Sequence, residues 1–242
     1  MKIVAKTDVG MVRESNQDSY TTGELPNGVA WAVVCDGMGG AAGGNGAAST
    51  AVKVIAEQIT SSFRPGMSAN SIKNMMVSAI NAANISVYDI SCSNSELYGM
   101  GTTVVCAIVM EHTAYIAHAG DSRAYIVSHG ALTQLTRDHS VVQELVEHGK
   151  ITALEAKRHP NKNIITRAVG VSREILVDFS EQEMKDGDVL LLCTDGLTNF
   201  VESDEMCDLT KDDMFYEFAE RLVDRANKNG GGDNVTVVAV TY

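Results

Sequence analysis

The sequence predicts an α+β fold built on antiparallel sheets. Short runs rich in Val and Ile recur, bounded by Gly, Asp, Asn or Ser. These runs come in sequential groups, and helical stretches are inserted in pairs rather than alternating with strands one for one. In chain order, strands are placed at Val29–Cys35, Thr102–Met110, Ala114–His118, Ala124–Val127, Val189–Cys193 and Val235–Tyr242. Between the first two, Ala48, Ala51, Val52, Ile55 and Ile59 share one helical face, and Ile72, Met75, Met76, Ala79 and Ala83 share another. Phe215, Phe218, Ala219, Leu222, Val223 and Ala226 draw a third stripe near the end. All three stripes are read as core packing. Residues 141–168 differ: they are polar, carry His and Lys, hold one Pro and show weak periodicity. A flap-like surface excursion is expected there, with a short helix near Val141–His148.

Composition narrows the function classes. A chain of 242 residues, 45% hydrophobic and 21% charged, has the balance of a globular protein and is long enough for a sizeable core. No repeat or low-complexity linker divides it, so one domain spanning 1–242 is expected. Nineteen basic against thirty-one acidic residues give a net charge of −12 with no basic stripe, which argues against nucleic acid and anionic membrane as partners. Converging carboxylates would instead favour cations. The five cysteines are odd in number, widely spaced and without a CxxC pair, as in a reduced, cytoplasmic protein. The opening MKIVAK lacks the apolar stretch of a signal peptide, and the longest apolar runs, such as Val104–Met110, are seven residues, against the roughly 18 needed to span a bilayer. A complete soluble protein is the expectation.

The segment Asp36-Gly-Met-Gly-Gly-Ala-Ala-Gly-Gly-Asn-Gly46 joins an apolar strand to a helix, the layout of a phosphate cradle. A dinucleotide site is disfavoured, because Asp36 would face the pyrophosphate and the helix leads to another helix rather than to a second strand. A P-loop is disfavoured because Asn45-Gly46 stands where Lys-Ser/Thr is needed. A plain turn remains open from this loop alone. Asp36, Asp195, Asp121 and Asp233 each sit at the edge of an apolar strand. Singly, each reads as a turn residue. If those strand ends meet, four carboxylates repel one another severely without cations, and hard ions such as Mg²⁺ or Mn²⁺ suit them.

Eight blocks now stand in order: Val9-Gly-x-x-Arg13-x-x-Asn16-Gln-Asp18, Asp36-Gly-Met-Gly-Gly40, Gly101-Thr-Thr103, Gly120-Asp-Ser-Arg123, Thr136-x-Asp-His-Ser140, Ile165-Thr-Arg-Ala-Val-Gly170, Thr194-Asp-Gly196 and Asp233-Asn-Val-Thr236. In this order the chain resembles the metal-dependent Ser/Thr protein phosphatases of the PPM (type 2C) family, in their compact bacterial form. The resemblance implies a four-layer α-β-β-α sandwich of two antiparallel sheets flanked by helix pairs. It implies that Asp36 bridges two ions, with the Gly37 carbonyl on one and Asp195 and Asp233 on the other. Asp18 would orient metal-bound water, Asp121 with Asp195 would hold a weaker third ion, and Arg13 would grip the substrate phosphate. Two tightly bound Mn²⁺ or Mg²⁺ ions and a third weaker one are therefore expected.

The implied reaction is hydrolysis of phosphoserine and phosphothreonine by a metal-bridging hydroxide, without a phosphoenzyme. Covalent routes lack their motifs: no cysteine is followed six positions later by Arg, and no Gly-x-Ser-x-Gly elbow exists. Relatives often carry His where Ala41 stands and Glu where Asn45 stands, so the general acid is unassigned. His118, His139 and His159 remain, but a lone histidine is more often a structural residue. A catalytically silent phosphoprotein-binding module is the alternative, and the intact carboxylates argue against it. Partners implied are phosphoproteins, including a Ser/Thr kinase and its substrates, with a monomeric chain in signalling.

Overall fold

All seven residues of the apolar run Val104–Met110 form one strand, and all seven are buried. Alternate side chains leave a strand on opposite faces, so such a run needs cover on both. The computed structural model describes residues 1–210 and 214–242, apart from the side chains of Ala41 and Ala42. In order come β1 (Lys2–Asp8), β2 (Asp18–Leu25), β3 (Val29–Met38), α1 (Gly40–Ser62), α2 (Ala69–Ser93), β4 (Gly101–Thr102), β5 (Val104–Met110), β6 (Thr113–Ala119), β7 (Arg123–Ser128) and β8 (Ala131–Gln134). Then follow α3 (Val141–Glu147), α4 (Ala153–Ala156), β9 (Asp178–Glu183), β10 (Val189–Cys193), α5 (Asp195–Thr198), α6 (Ser203–Leu209), α7 (Phe218–Lys228) and β11 (Val235–Thr241).

The strands form two antiparallel sheets, one in the order β1-β11-β10-β7-β8 and the other β2-β3-β5-β6-β9, with β4 beside β3. Three apolar cores separate four layers. Val33, Cys35, Cys106 and Ile108 face α1 and α2, where Ile55, Ile59, Ile72 and Met76 are fully buried. The alternate residues Val34, Val105 and Ala107 face Leu190, Leu192 and Val238 of the other sheet. On its outer side that sheet turns Leu191, Cys193 and Val237 toward Phe218, Leu222 and Val223 of α7 and Met206 of α6. The expected α-β-β-α sandwich is thus observed. Among the described residues, no helix is long and apolar enough to cross a membrane.

Several strand ends shift by a residue, the strand expected at Thr102–Met110 is split at Thr103 into β4 and β5, and two boundaries at the glycine loop differ further. β3 runs on to Met38, three residues past Cys35, so Asp36 lies within a strand rather than after one. The helix expected after Gly46 begins at Gly40, immediately after Gly39 at φ +109°. The glycines serve close packing: a Cβ on Gly37 would lie 2.1 Å from the Gly44 carbonyl oxygen and 2.7 Å from that of Gln17. The third stripe starts with a 3₁₀ turn at Phe215–Glu217 before α7. The excursion between β8 and β9 carries α3, capped by Ser140, and α4, closed by a capping box between Thr152 and Glu155.

Candidate metal centre

The carboxylates meet where the two sheets come together at one end of the sandwich. Antiparallel pairing of β2 with β3 sets Asp18 opposite Asp36. Asp36 is pinned through its backbone, its N–H donating to Thr103 Oγ1 at 2.9 Å while its carbonyl accepts from Thr103 N–H at 2.9 Å and Thr102 Oγ1 at 2.8 Å. From the other sheet, Asp195 opens α5 two residues after the end of β10, and Asp233 lies two residues before β11. Asp121 occupies the turn that carries the chain from β6 in one sheet to β7 in the other. Asp18 joins the sheets from beneath, its Oδ2 accepting from Thr194 at 2.9 Å and Thr236 at 2.7 Å. Arg13, Asp36, Gly37, Asp121, Asp195 and Asp233 all line one pocket of about 300 Å³. Of the seven residues expected at the site, only Asp18 is not in its lining.

Such crowding raises the carboxylates. Burial lifts Asp36 well above the usual range, and Asp18, Asp195, Asp121 and Asp233 add repulsion. Burial and Asp233 raise Asp195, against hydrogen bonds from Asp36 and Asn199. Asp18 is pushed to about 7 by burial, despite its two threonine donors. Asp121 also reaches about 7, through burial and then repulsion from Asp195. Asp36, Asp121 and Asp195 keep an intermediate exposure at the pocket mouth, yet desolvation by the packing behind them is the largest cause in each. Arg13 forks onto Asp233, with Nη2 donating to Oδ2 at 2.9 Å and Nε in ion-pair contact with Oδ1 at 2.9 Å.

A divalent cation fits this donor set. All candidate ligands are hard oxygens, from three or more carboxylates and the Gly37 carbonyl, the preference of Mg²⁺ and Mn²⁺. Asp18 Oδ1 is buried with no hydrogen-bond partner, an orphan acceptor in a site of mutually repelling anions. A bound cation would relieve that repulsion.

Thiol chemistry does not fit. Burial holds Cys106 and Cys193 protonated, pushed up to about 12, and raises Cys35 further. None of the five cysteines lines the pocket, nor does any histidine. His118 and His139 stack beside the Gly120 turn, and His159 lies in the flap, where its Nδ1 accepts from Asn161 N–H at 3.1 Å. The structure adds residues that reading by type overlooks. Asn234 accepts from Gln17 N–H at 2.8 Å and donates to the carbonyls of Val9 and Ser15 at 2.9 and 3.0 Å, which ties the Arg13 segment to the Asp233 turn. Thr103 and Asn163 also line the pocket. Thr103 and Asn234 fall inside quoted blocks, but their work is on backbone atoms that no spacing reveals.

Comparison with known proteins agrees with this geometry. A family model described as Protein phosphatase 2C matches residues 12–236. The serine/threonine phosphatase stp of Listeria monocytogenes is 37% identical over 236 residues, covering 97% of this chain and 93% of that protein. The solved serine/threonine phosphatase of S. agalactiae superposes with a TM-score of 0.93 at 32% identity, covering 100% of this chain and 99% of that one. The catalytic domain of the phosphatase PstP, solved with 2 manganese ions, superposes with a TM-score of 0.85 at 32% identity, covering 98% and 96%. With its eight blocks, its sandwich and its converging aspartates, this chain belongs to the protein phosphatase 2C family.

Proposed function

We propose that the chain, acting as one catalytic domain over residues 1–242, hydrolyses phosphoserine and phosphothreonine in proteins with Mn²⁺ or Mg²⁺ at the aspartate pocket. The observation that carries this reading is the convergence of Asp36, Asp121, Asp195 and Asp233 in one pocket above the orphan Oδ1 of Asp18. In this reading Asp36, the Gly37 carbonyl, Asp195 and Asp233 would hold two ions, with Asp36 common to both, Gly37 serving one and Asp195 and Asp233 the other. Asp121 with Asp195 would hold a weaker third ion. Bound cations would stabilise phosphate charge and make a coordinated water nucleophilic near neutral pH. Asp18, held through Oδ2 by Thr194 and Thr236, would orient such water through Oδ1. Arg13 presents a planar fork to two phosphate oxygens.

A direct attack by water, without a phosphoenzyme, is supported by what lines the pocket. Among its described lining residues none is Cys, Ser or His, the one hydroxyl, Thr103, is engaged with Asp36 N–H and Ser122, and the aspartates, the remaining nucleophile type, would be engaged by cations in this reading. The PstP neighbour, solved with manganese, supports the metal assignment. The reading also makes the chain a cytoplasmic monomer that opposes a Ser/Thr kinase on shared phosphoproteins; the location is supported by its unpaired cysteines.

Phosphopeptide hydrolysis tests the reading. Chelated protein should be nearly inactive, with Mn²⁺ or Mg²⁺ restoring turnover. Asp36→Asn and Asp233→Asn should each lower kcat by on the order of 10²–10³ or more. Full activity in either variant, or in the presence of chelator, would overturn it.

A further inference from the structure

Outside the pocket, His118, His139 and Asp178 bring potential ligand atoms within 4.8 Å of one another. Their geometry argues against a metal there. The two imidazoles are stacked, with centroids 4.7 Å apart and planes within 5°, so their in-plane lone pairs run side by side and do not converge. His118 Nε2 is also engaged with the Arg137 carbonyl at 2.9 Å.

His139 instead spans four pieces of structure. Its Nδ1 accepts from Gly120 N–H at 3.1 Å, and its own backbone N–H donates to the Gly120 carbonyl at 3.0 Å. Gly120 is thereby held through both backbone groups by one residue. An acceptor at Nδ1 requires the ring proton on Nε2, and Nε2 faces Asp178 Oδ2 at 3.2 Å. Arg167 Nη1 fixes the other Asp178 oxygen at 2.7 Å. The His139 carbonyl accepts from Thr166 N–H at 2.7 Å, at the base of the flap. Gly120 has φ +114°, and a Cβ there would lie 2.7 Å from Thr103, so this turn has one narrow conformation to be held in. The next residue is Asp121.

We propose that His139 is a positioning residue: with its tautomer set by Asp178, it clamps Gly120 and so aims Asp121 at the weaker cation. The functional half rests on the reading of Asp121 as a ligand of a third ion, and the experiment separates the two. Hydrogen exchange of the 119–123 amides in the Mn²⁺-loaded full chain reads the clamp. Calorimetric Mn²⁺ titration reads the ion. His139→Ala should speed exchange at Gly120 by on the order of tenfold, the loss of one buried hydrogen bond. It should also weaken the weakest Mn²⁺ site by about the same factor and leave the two tight ions unchanged. His139→Asn, whose Oδ1 can replace Nδ1 as acceptor, should restore much of both. Asp178→Ala, on an edge strand, should reproduce the defect if His139→Ala does not fold, because the ring is then free to put its proton on Nδ1. Wild-type exchange at Gly120 in the folded variants overturns the clamp. Faster exchange with an unchanged weak site overturns the aiming of Asp121, and loss of the tight ions marks His139 as general packing. Asp121→Ala that still binds the weak ion normally would fail the third-ion reading itself, with the exchange result still deciding the clamp.

Discussion

Arg13 and Asp233 share a fork in this structure, and that contact sets up a competition. The guanidinium occupies the carboxylate oxygens that a cation at Asp233 would take. Under the proposed function a cation binding there would release Arg13, whose side chain is 54% exposed, toward an incoming phosphate. Arg13→Ala should therefore have opposite effects on two ligands. Mn²⁺ binding should tighten by up to about fivefold, the ceiling for an exposed ion pair. Phosphopeptide KM should rise by about tenfold, the loss of a charge-assisted hydrogen bond, with a smaller fall in kcat. Arg13→Lys should recover the metal effect but not the full KM, since an ammonium lacks the fork. Calorimetry beside kinetics checks both, and an unchanged KM would reject the phosphate role. Arg13 and the five aspartates were legible because each lies in a short block whose residue types carry the chemistry. Asn234 and Asp178 were not: Asn234 acts on carbonyls about 220 residues away, and Asp178 meets His139 across 39 positions.

The elements were legible in proportion to their burial. Strands covered on both faces, such as β5 and β10, announce themselves as unbroken apolar runs. Four strands escape such a search, and they are the four sheet edges: β1, β8, β2 and β9. Edge strands are half-exposed and carry polar residues, as Asp178-Phe-Ser-Glu-Gln-Glu183 does. Weak periodicity did mark the flap, and the structure gives it a place. Beneath α3 and α4 lies a cleft of about 270 Å³ that reaches Asp121, Asp195 and Asn163, residues also lining the aspartate pocket. Lys157 and Lys162 stand on its flap side. A polypeptide held at the aspartates has this cleft beside it, whereas a small aryl phosphate does not extend so far. Lys162→Glu should lower kcat/KM for a phosphopeptide with acidic flanks by about two- to fivefold. Its effect on p-nitrophenyl phosphate should be smaller. Equal effects on both substrates would leave the flap a purely structural segment.

At the scale of the whole molecule, the aspartate cluster couples stability to pH and to cations. Asp18 and Asp121 release their protons at about 7 in the folded chain and near 3.9 when unfolded. Between those values the folded state binds more protons, so the stability of chelated protein falls as pH rises, and the fall is complete just above 7. From pH 6 to 8 two such groups contribute on the order of 1 kcal/mol each, several degrees of Tm together at this length. Asp36 and Asp195, also raised, act in the same direction, as does self-repulsion in a chain of net charge −12. His118 and His139, lowered chiefly by burial, oppose the trend only where an unfolded histidine gains charge, below about pH 6.5. Under the proposed function cations bind the deprotonated cluster, so the Tm gain from saturating Mn²⁺ should be larger at pH 8 than at pH 6. Asp121→Asn removes one titrating group and should flatten the slope of the chelated protein by roughly a third to a half. Melting curves at pH 6, 7 and 8, with chelator and with Mn²⁺, test all three statements together. A chelated protein that grows more stable toward pH 8, or a Mn²⁺ gain independent of pH, would show that these carboxylates are already ionised in the folded chain, and that the fold tolerates their repulsion without a cation.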